Sequence, residues 1–413
     1  MKRYITLILC VITLCCYADD KFVGGDISLL PSYVSHGADY YDPNGNAISS
    51  PLAYFGEQGM NAMRVRLFVN PANASATHKG EGVCQDLEYV KALGKQIKDA
   101  GMALMLDFHY SDTWADPSNQ WTPEAWKTLN DEQLAQQVYD YTLDCLQQLK
   151  AVGATPDYIQ TGNEISYGML WGPKGTGSPK KCYTNSDANW SRFRTLLSKA
   201  IQACREECPA AKVVIHTERT ANWSTTKGIY ERLASVDYDI IGLSYYPEWH
   251  NNLATLKNTL TNLKTTFADK PVIIVETGYY NNWYPQNASY NFTSTWPASA
   301  EGQKIFLDDL VALIKDMDHV RGLLYWFPEE NPCNNHVYEP WYNHGLFDPN
   351  TGRAVDALFS MKEYGIGAGI EGVENVAEGA SETLFTLDGR RVDASRQLPR
   401  GIYVKGHRKV IVR

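Results

Sequence analysis

The sequence predicts a closed (β/α)8 TIM barrel followed by a short C-terminal β-rich module, and three observations lead there. Eight short apolar runs recur along the first 330 residues. Amphipathic helical stretches separate most of them. A polar or charged residue stands at the end of nearly every run. Strands that alternate with helices build parallel sheets, and eight such units in about 350 residues fit a sheet closed on itself with long loops. The alternative, an open doubly wound sheet, expects a glycine-rich phosphate turn after its first strand. This chain has none there.

The runs come in order. They are F-V-G-G-D-I-S (22–28), A-M-R-V-R-L-F-V (62–69), M-A-L-M-L-D-F-H (102–109) and Y-I-Q-T-G-N-E (158–164). Then follow K-V-V-I-H (212–216), I-I-G-L-S-Y-Y (240–246), P-V-I-I-V-E-T (271–277) and G-L-L-Y-W-F (322–327). Between them, residues 87–101 and 190–204 place apolar side chains at the i, i+3, i+4 spacing of a helix with one buried face. The polar ends are Asp26, Arg64 and Arg66, Asp107 and His109, Asn163 and Glu164, His216, Tyr245 and Tyr246, Glu276 and Trp326. In a (β/α)8 barrel that end is the active face. A single charged strand end reads as a cap or an ion pair. A set of them does not read as a stability device, because each buried unpaired charge costs on the order of several kcal/mol.

The two ends of the chain differ from this pattern. Residues 1–18, a short basic start, an apolar stretch and small residues, read as an export signal cleaved after Ala18. Cys15 or Cys16 offers lipid attachment as the alternative. The barrel is expected over 19–366. After Gly365 a glycine-rich linker leads to a tail, 371–413, whose D-G, R-G and K-G turns separate short strands. The tail resembles the C-terminal β-modules ending in G-I-Y-x-V-x-G-x-K-V that recur in exported bacterial proteins, which implies a sorting, anchoring or packing role.

Six cysteines follow the signal: Cys84, Cys145, Cys182, Cys204, Cys208 and Cys333. An even number in an exported chain is compatible with disulfides. The C-R-E-E-C pair lacks the further donors that zinc needs. The net charge of -9 argues against nucleic acid and for a neutral ligand. Tryptophan and tyrosine gather in polar loops such as W-A-D-P-S-N-Q-W-T-P, where they serve as packing or as platforms for sugar rings.

Glu164 ends the fourth run and Glu276 the seventh, so barrel closure sets them across the pore from one another. Two facing carboxyls are what retaining glycoside hydrolysis requires. One protonates the leaving oxygen and the other attacks the anomeric carbon, with the groups about 5–5.5 Å apart. Arg64 and Tyr245 are the candidates for holding the nucleophile ionised. Asn163 is placed to bond the hydroxyl beside the reacting carbon. His109 and His216 lack a third metal donor at strand or helix spacing and are expected to hydrogen-bond. No G-x-S-x-G elbow is present for a serine nucleophile.

These motifs are similar to those of the endo-β-1,4-galactanase family of retaining (β/α)8 glycoside hydrolases. The resemblance rests on M-R-V-R-L-F-V-N-P (63–71), L-D-F-H-Y-S-D-T-W-A-D-P (106–117), T-G-N-E-I-S-Y-G-M-L-W-G-P (161–173), I-G-L-S-Y-Y-P-E-W-H (241–250), V-I-I-V-E-T-G-Y (272–279) and L-Y-W-F-P (324–328). It covers about residues 22–360. It implies Glu164 as acid/base and Glu276 as nucleophile, with Arg64 and Tyr245 holding the latter and Asn163 on the 2-hydroxyl. It places Asp107, His109, Asp112, Trp114 and Asp116 along the substrate groove and Trp326 under the reacting sugar. It further implies a cofactor-free, exported monomer acting on galactan of plant cell walls. Rival readings are a mannanase or cellulase of the same superfamily, and a glycan-binding barrel without activity.

The chain departs from the family at two strands. It has Y-W-F-P-E-E at strand 8 where Y-W-E-P is usual, and R-L-F-V at strand 2 where tryptophan is commoner. Some relatives bind calcium with acids in the loop after strand 7; here that loop, G-Y-Y-N-N-W-Y-P-Q-N-A-S-Y-N-F, has none. It is expected to extend the groove instead, with Trp283 affecting product length. Residues 218–223, E-R-T-A-N-W, are expected at the groove after strand 5, without assigned contacts.

Overall fold

The computed structural model describes residues 21–331, 337–338, 341, 343–366 and four strand segments, 384–386, 391–392, 401–405 and 408–412. The proposed signal, the linker and Cys333 lie outside the described residues.

Eight parallel strands close into a barrel in sequence order. They are β1 (Phe22–Asp26), β2 (Ala62–Leu67), β3 (Ala103–Phe108), β4 (Tyr158–Thr161), β5 (Lys212–Thr217), β6 (Ile240–Tyr245), β7 (Val272–Thr277) and β8 (Val320–Trp326). β1 pairs with β8, which completes the ring. The (β/α)8 barrel expected from the alternating pattern is the observed fold. A separate four-stranded antiparallel sheet in the tail is ordered β10 (Arg391–Val392), β9 (Leu384–Thr386), β11 (Gly401–Lys405), β12 (Arg408–Val412).

Side-chain alternation sorts the strands into two layers. Phe22, Ala62, Met105, Val214, Ile240, Ile273, Val275 and Leu324 point inward and fill the barrel. Their neighbours, such as Val23, Met63, Leu104 and Ile241, point outward to the helical shell. Gly24 belongs to the inner set, where a Cβ would stand 1.6 Å from the Ala62 carbonyl oxygen. Most of the described helices start where short polar side chains accept the first free amides. Asn130 caps Asp131–Ala151 with Gln133 answering it, and Asp86 caps Leu87–Asp99.

The inner set changes character along each strand. It is apolar at the base and polar at the C-terminal end: Asp26, Arg64 and Arg66, Asp107, Gln160, His216, Ser244. One irregularity matters for function. Between β6 and β7 the register jumps, so that Leu243 pairs with Ile274 but Ser244 pairs with Glu276. Val275 is the extra residue of a β-bulge. Without it, strict alternation from Ile273 and Val275 would send Glu276 outward into the helical shell. The bulge turns it to the barrel mouth instead.

The five described cysteines are free thiols. Burial pushes those of Cys204 and Cys145 up, the latter to about 12, so they behave as core residues. Among the described residues, no helix is long and apolar enough to cross a membrane.

Candidate active site

A cleft of about 880 Å³ opens at the C-terminal ends of the strands. Its floor is built around Arg64, which is 1% exposed. The guanidinium fork reaches Asp26 Oδ2 at 2.9 Å, Asp107 Oδ2 at 2.7 Å and Glu276 Oε1 at 2.9 Å. It also donates to Asn163 Oδ1 at 2.8 Å. Against the effect of burial, the shared cation holds Asp107 below the usual carboxylate range and opposes the rise at Glu276. His109 accepts from the Ala115 amide through Nδ1, so its other nitrogen carries the proton and donates to Asp107 at 3.1 Å.

Glu164 follows β4 in a left-handed backbone conformation, φ 47° and ψ 50°. Such a conformation strains a residue with a Cβ. Gly162, at φ 109°, makes the preceding turn without that strain. Two hydrogen bonds fix the result. The Glu164 amide donates to His216 Nδ1 at 3.3 Å. A backbone N–H is a fixed donor, so Nδ1 accepts and the ring proton sits on Nε2. From there it is given to Ser244 Oγ at 2.8 Å, and Ser244 donates to Glu164 Oε1 at 2.6 Å. Burial holds His216 well below the usual histidine range, with the Arg64 charge adding to it, so the ring is neutral.

The two candidate carboxyls approach within 4.8 Å. Burial raises both, Glu276 to about 7 and Glu164 well above the usual carboxylate range. The Arg64 cation and the Tyr246 hydroxyl, 3.2 Å from Oε2, oppose that rise at Glu276. At Glu164 the negative partner adds to burial. The proton therefore resides on Glu164 and the charge on Glu276, and since Ser244 fills Oε1, that proton lies on Oε2. His216 also lies within 4.8 Å of the pair. Both of its nitrogens are engaged within the wall, Nδ1 by the Glu164 amide and Nε2 by Ser244.

The structure sorts the sequence candidates. Arg64, His109, Trp114, Asp116, Asn163, Glu164, Glu276 and Trp326 border the cleft. Asp107 and His216 lie directly behind it and act through Arg64, His109 and Glu164. Two placements are corrected. Tyr245 faces the helical shell, where its hydroxyl donates to the Asn251 carbonyl at 2.9 Å and its ring stacks on Phe306. The tyrosine on Glu276 is the next residue, Tyr246, because Ser244 and Tyr246 share the inner parity. Asp112 accepts from Asn73 and from the Glu124 amide and ties two loops together away from the cleft. The loop after β7 reaches the cleft through Tyr280 and Asn287. Trp283 stands behind, stacked on Tyr280 at 6.2 Å.

Further residues complete the site. Glu218, from the E-R-T-A-N-W stretch expected at the groove, borders the cleft and accepts from Ser166 at 2.6 Å and Arg219 at 2.7 Å. Its inward parity with Val214 and His216 was the available signal. Trp341 and His344 border the cleft from the segment beyond β8. The family departures sit in the floor. Phe68 packs edge-on against His109 and Trp114, and Phe327 stacks on Trp326 with Arg66 over its other side.

The arabinogalactan endo-beta-1,4-galactanase of Cellvibrio japonicus is 34% identical over 319 residues, covering 74% of this chain and 80% of its own. Arabinogalactan endo-beta-1,4-galactanase A of Emericella nidulans is 34% identical over 320 residues, covering 74% and 84%. The solved family 53 catalytic domain of Ignisphaera aggregans superposes with a TM-score of 0.73 at 31% identity, over 85% of this chain and 98% of that one. The family model described as glycosyl hydrolase family 53 matches residues 22–361, so the chain belongs to that family and is a glycoside hydrolase.

Proposed function

We propose that the protein is an exported endo-β-1,4-galactanase that cleaves galactan, including the side chains of pectin, by a retaining double displacement. The observation that carries the mechanism is the approach of two carboxyls to within 4.8 Å of one another in opposed electrostatic settings. Retaining enzymes set the pair about 5–5.5 Å apart, whereas inverting enzymes leave about 6.5–9.5 Å for a water. The relatives named for galactan support the substrate. A cleft that opens along the barrel mouth suits a chain bound at an internal position.

In the first step Glu276 attacks the anomeric carbon as the glycosidic bond breaks. The leaving oxygen takes the proton from Glu164 Oε2, and a glycosyl ester forms on Glu276. Arg64 and Tyr246 orient the nucleophile. In the second step Glu164, now ionised and held by Ser244, removes a proton from water. That water attacks the same carbon, and Glu276 leaves. Asn163 uses one of its two amide protons on the Ala115 carbonyl at 2.8 Å, and the other is available to the substrate. Trp326 and Trp114 supply flat apolar surface for the ring.

The test is hydrolysis of galactan, mannan, cellulose and xylan by wild type and Glu276→Ala. Short galacto-oligosaccharides from galactan alone, with turnover reduced about 10^4-fold or more in the variant, are expected. Cleavage of another glycan would remove the substrate and keep the mechanism. Full activity of the variant would remove the mechanism.

A further inference from the structure

After β6 a single helical turn, Pro247–His250, runs along the cleft. Trp249 leaves it 38% exposed, while Glu248 beside it is 1% exposed. Both border the cleft. The Tyr280 hydroxyl donates to Glu248 Oε1 at 2.5 Å. Glu248 Oε2 is buried and has no partner. The described groups that face this carboxyl from the neighbouring elements are tyrosines: Tyr245 and Tyr246 at the end of β6, and Tyr279, Tyr280, Tyr284 and Tyr325 from beyond β7 and from β8. His250, on the same turn, is held down to about 3 by burial and is neutral. Among the described residues, no cation offsets the burial of Glu248.

A carboxylate with one hydrogen bond and no cation is unstable in such a place, so the group keeps its proton. Burial accordingly raises it to about 7. Tyr280 occupies Oε1, which leaves the acid proton on Oε2. The wall thus offers a flat indole and, next to it, an O–H donor without an acceptor. An aromatic face and a directed donor are the two elements a pyranose ring uses, one for its apolar face and one for a hydroxyl.

We propose that Trp249 and Glu248 form a second sugar subsite, in which Trp249 stacks on a pyranose of the bound chain and Glu248, in its neutral form, donates to one of its hydroxyls. The occupant is a sugar of the same substrate chain, one or more positions from the cleaved bond. The inference rests on the reading of the cleft as a polysaccharide groove.

The experiment compares wild type, Trp249→Ala, Glu248→Ala and Glu248→Gln on galacto-oligosaccharides of increasing length and on galactan, reading kcat, KM and the product ladder. Trp249→Ala and Glu248→Ala should each raise KM for the longer chains by about tenfold, with a smaller effect on the shortest, and should shift the ladder. The acid donor is lost as pH rises through about 7. Wild type should therefore show a long-chain KM that climbs from about pH 6 to about pH 8. Glu248→Gln keeps a donor at all pH and should flatten that climb. The comparison removes the titrations of Glu164 and Glu276, which both proteins share. An unchanged ladder and chain-length dependence in Trp249→Ala, or identical pH profiles for Glu248→Gln and wild type, would overturn the proposal. If wild type cuts a different β-glycan, the galactan reading fails and the same comparison on that glycan decides the subsite. If it cuts none, equal calorimetric affinities of wild type and Trp249→Ala for galactohexaose overturn it.

Discussion

Ser244 donates to Glu164 Oε1 across 2.6 Å, and does so because His216 has already given its own proton to the Ser244 oxygen at 2.8 Å. The relay starts in β5, passes through β6 and ends on Glu164, three residues beyond β4, so three strands fix one carboxyl oxygen. It has an electrostatic sense. The serine proton favours the ionised form of Glu164, while burial and the charge of Glu276 favour the protonated one. The latter win in the resting site. In the proposed double displacement, the serine is then in place to hold the anion once Glu164 has given up its proton.

Ser244→Ala should raise the Glu164 carboxyl further, because the removed hydrogen bond was lowering it. The acid must be protonated in the first step, and activity is lost as pH rises through its pKa. The basic limb of kcat/KM against pH should therefore move upward. Turnover at neutral pH should fall, by about tenfold, because the second step needs Glu164 as a base. A basic limb that stays where it was would refute the relay.

The adjacent tyrosines should respond in opposite ways. Tyr246→Phe removes the hydroxyl from Glu276 and should lower kcat by about tenfold or more, with little change in thermal midpoint. Tyr245→Phe breaks a bond to the Asn251 carbonyl in the shell. It should cost about 1 kcal/mol of stability and leave kcat near wild type. Reversed effects would return Tyr245 to the role the family resemblance implied for it.

That error shows where sequence reasoning stops. The eight runs, their order and the polar strand ends were legible because period and position carry them. Parity within a run carries more than was used. Ile241, Leu243 and Tyr245 form one face of β6, and Gly242, Ser244 and Tyr246 the other, so the inward tyrosine was readable. Glu276 was not readable in this way. Its inward direction depends on the bulge at Val275, which exists only in the pairing with β6. Its assignment rested on its place at a strand end across the pore from Glu164, and the family pattern agreed with it. Glu248, Trp341 and His344 were out of reach for a different reason. They stand on a turn and a long connection whose approach to the cleft is set by tertiary packing, and no local period encodes that.

Arg64→Met tests the floor. The variant leaves Asp26, Asp107 and Glu276 around a site with no cation. Glu276 should rise above its present value of about 7, since Arg64 is the main influence holding it down. The nucleophile must be ionised, and activity is lost as pH falls through its pKa. The acid limb of the pH profile should thus shift to higher pH. Stability should drop by on the order of 3–5 kcal/mol, as when one partner of a buried ion pair is removed. Arg64→Lys restores charge without the fork and should recover part of the stability while kcat stays low. An acid limb in Arg64→Met that coincides with wild type would separate Arg64 from the nucleophile.

Buried carboxyls also set how the fold responds to pH. Glu330 is 1% exposed, and burial raises it to about 8 although the His344 and Gly345 amides donate to it. A carboxyl raised in the folded state binds its proton more tightly there than in the unfolded chain. Its contribution is fully present below the unfolded pKa of about 4.3. It is lost as pH climbs toward about 8. Within that window each such group subtracts about 1.4 kcal/mol per pH unit. Glu248 and Glu276, both raised to about 7, act in the same direction. The thermal midpoint should accordingly be highest in mild acid and fall toward pH 8, against the usual rise for proteins stabilised by ionised carboxylates. Glu330→Gln keeps an oxygen for the two amides and does not ionise, so its midpoint should fall less steeply over the same range. Parallel curves for the variant and wild type would mean that Glu330 is not protonated in the folded protein.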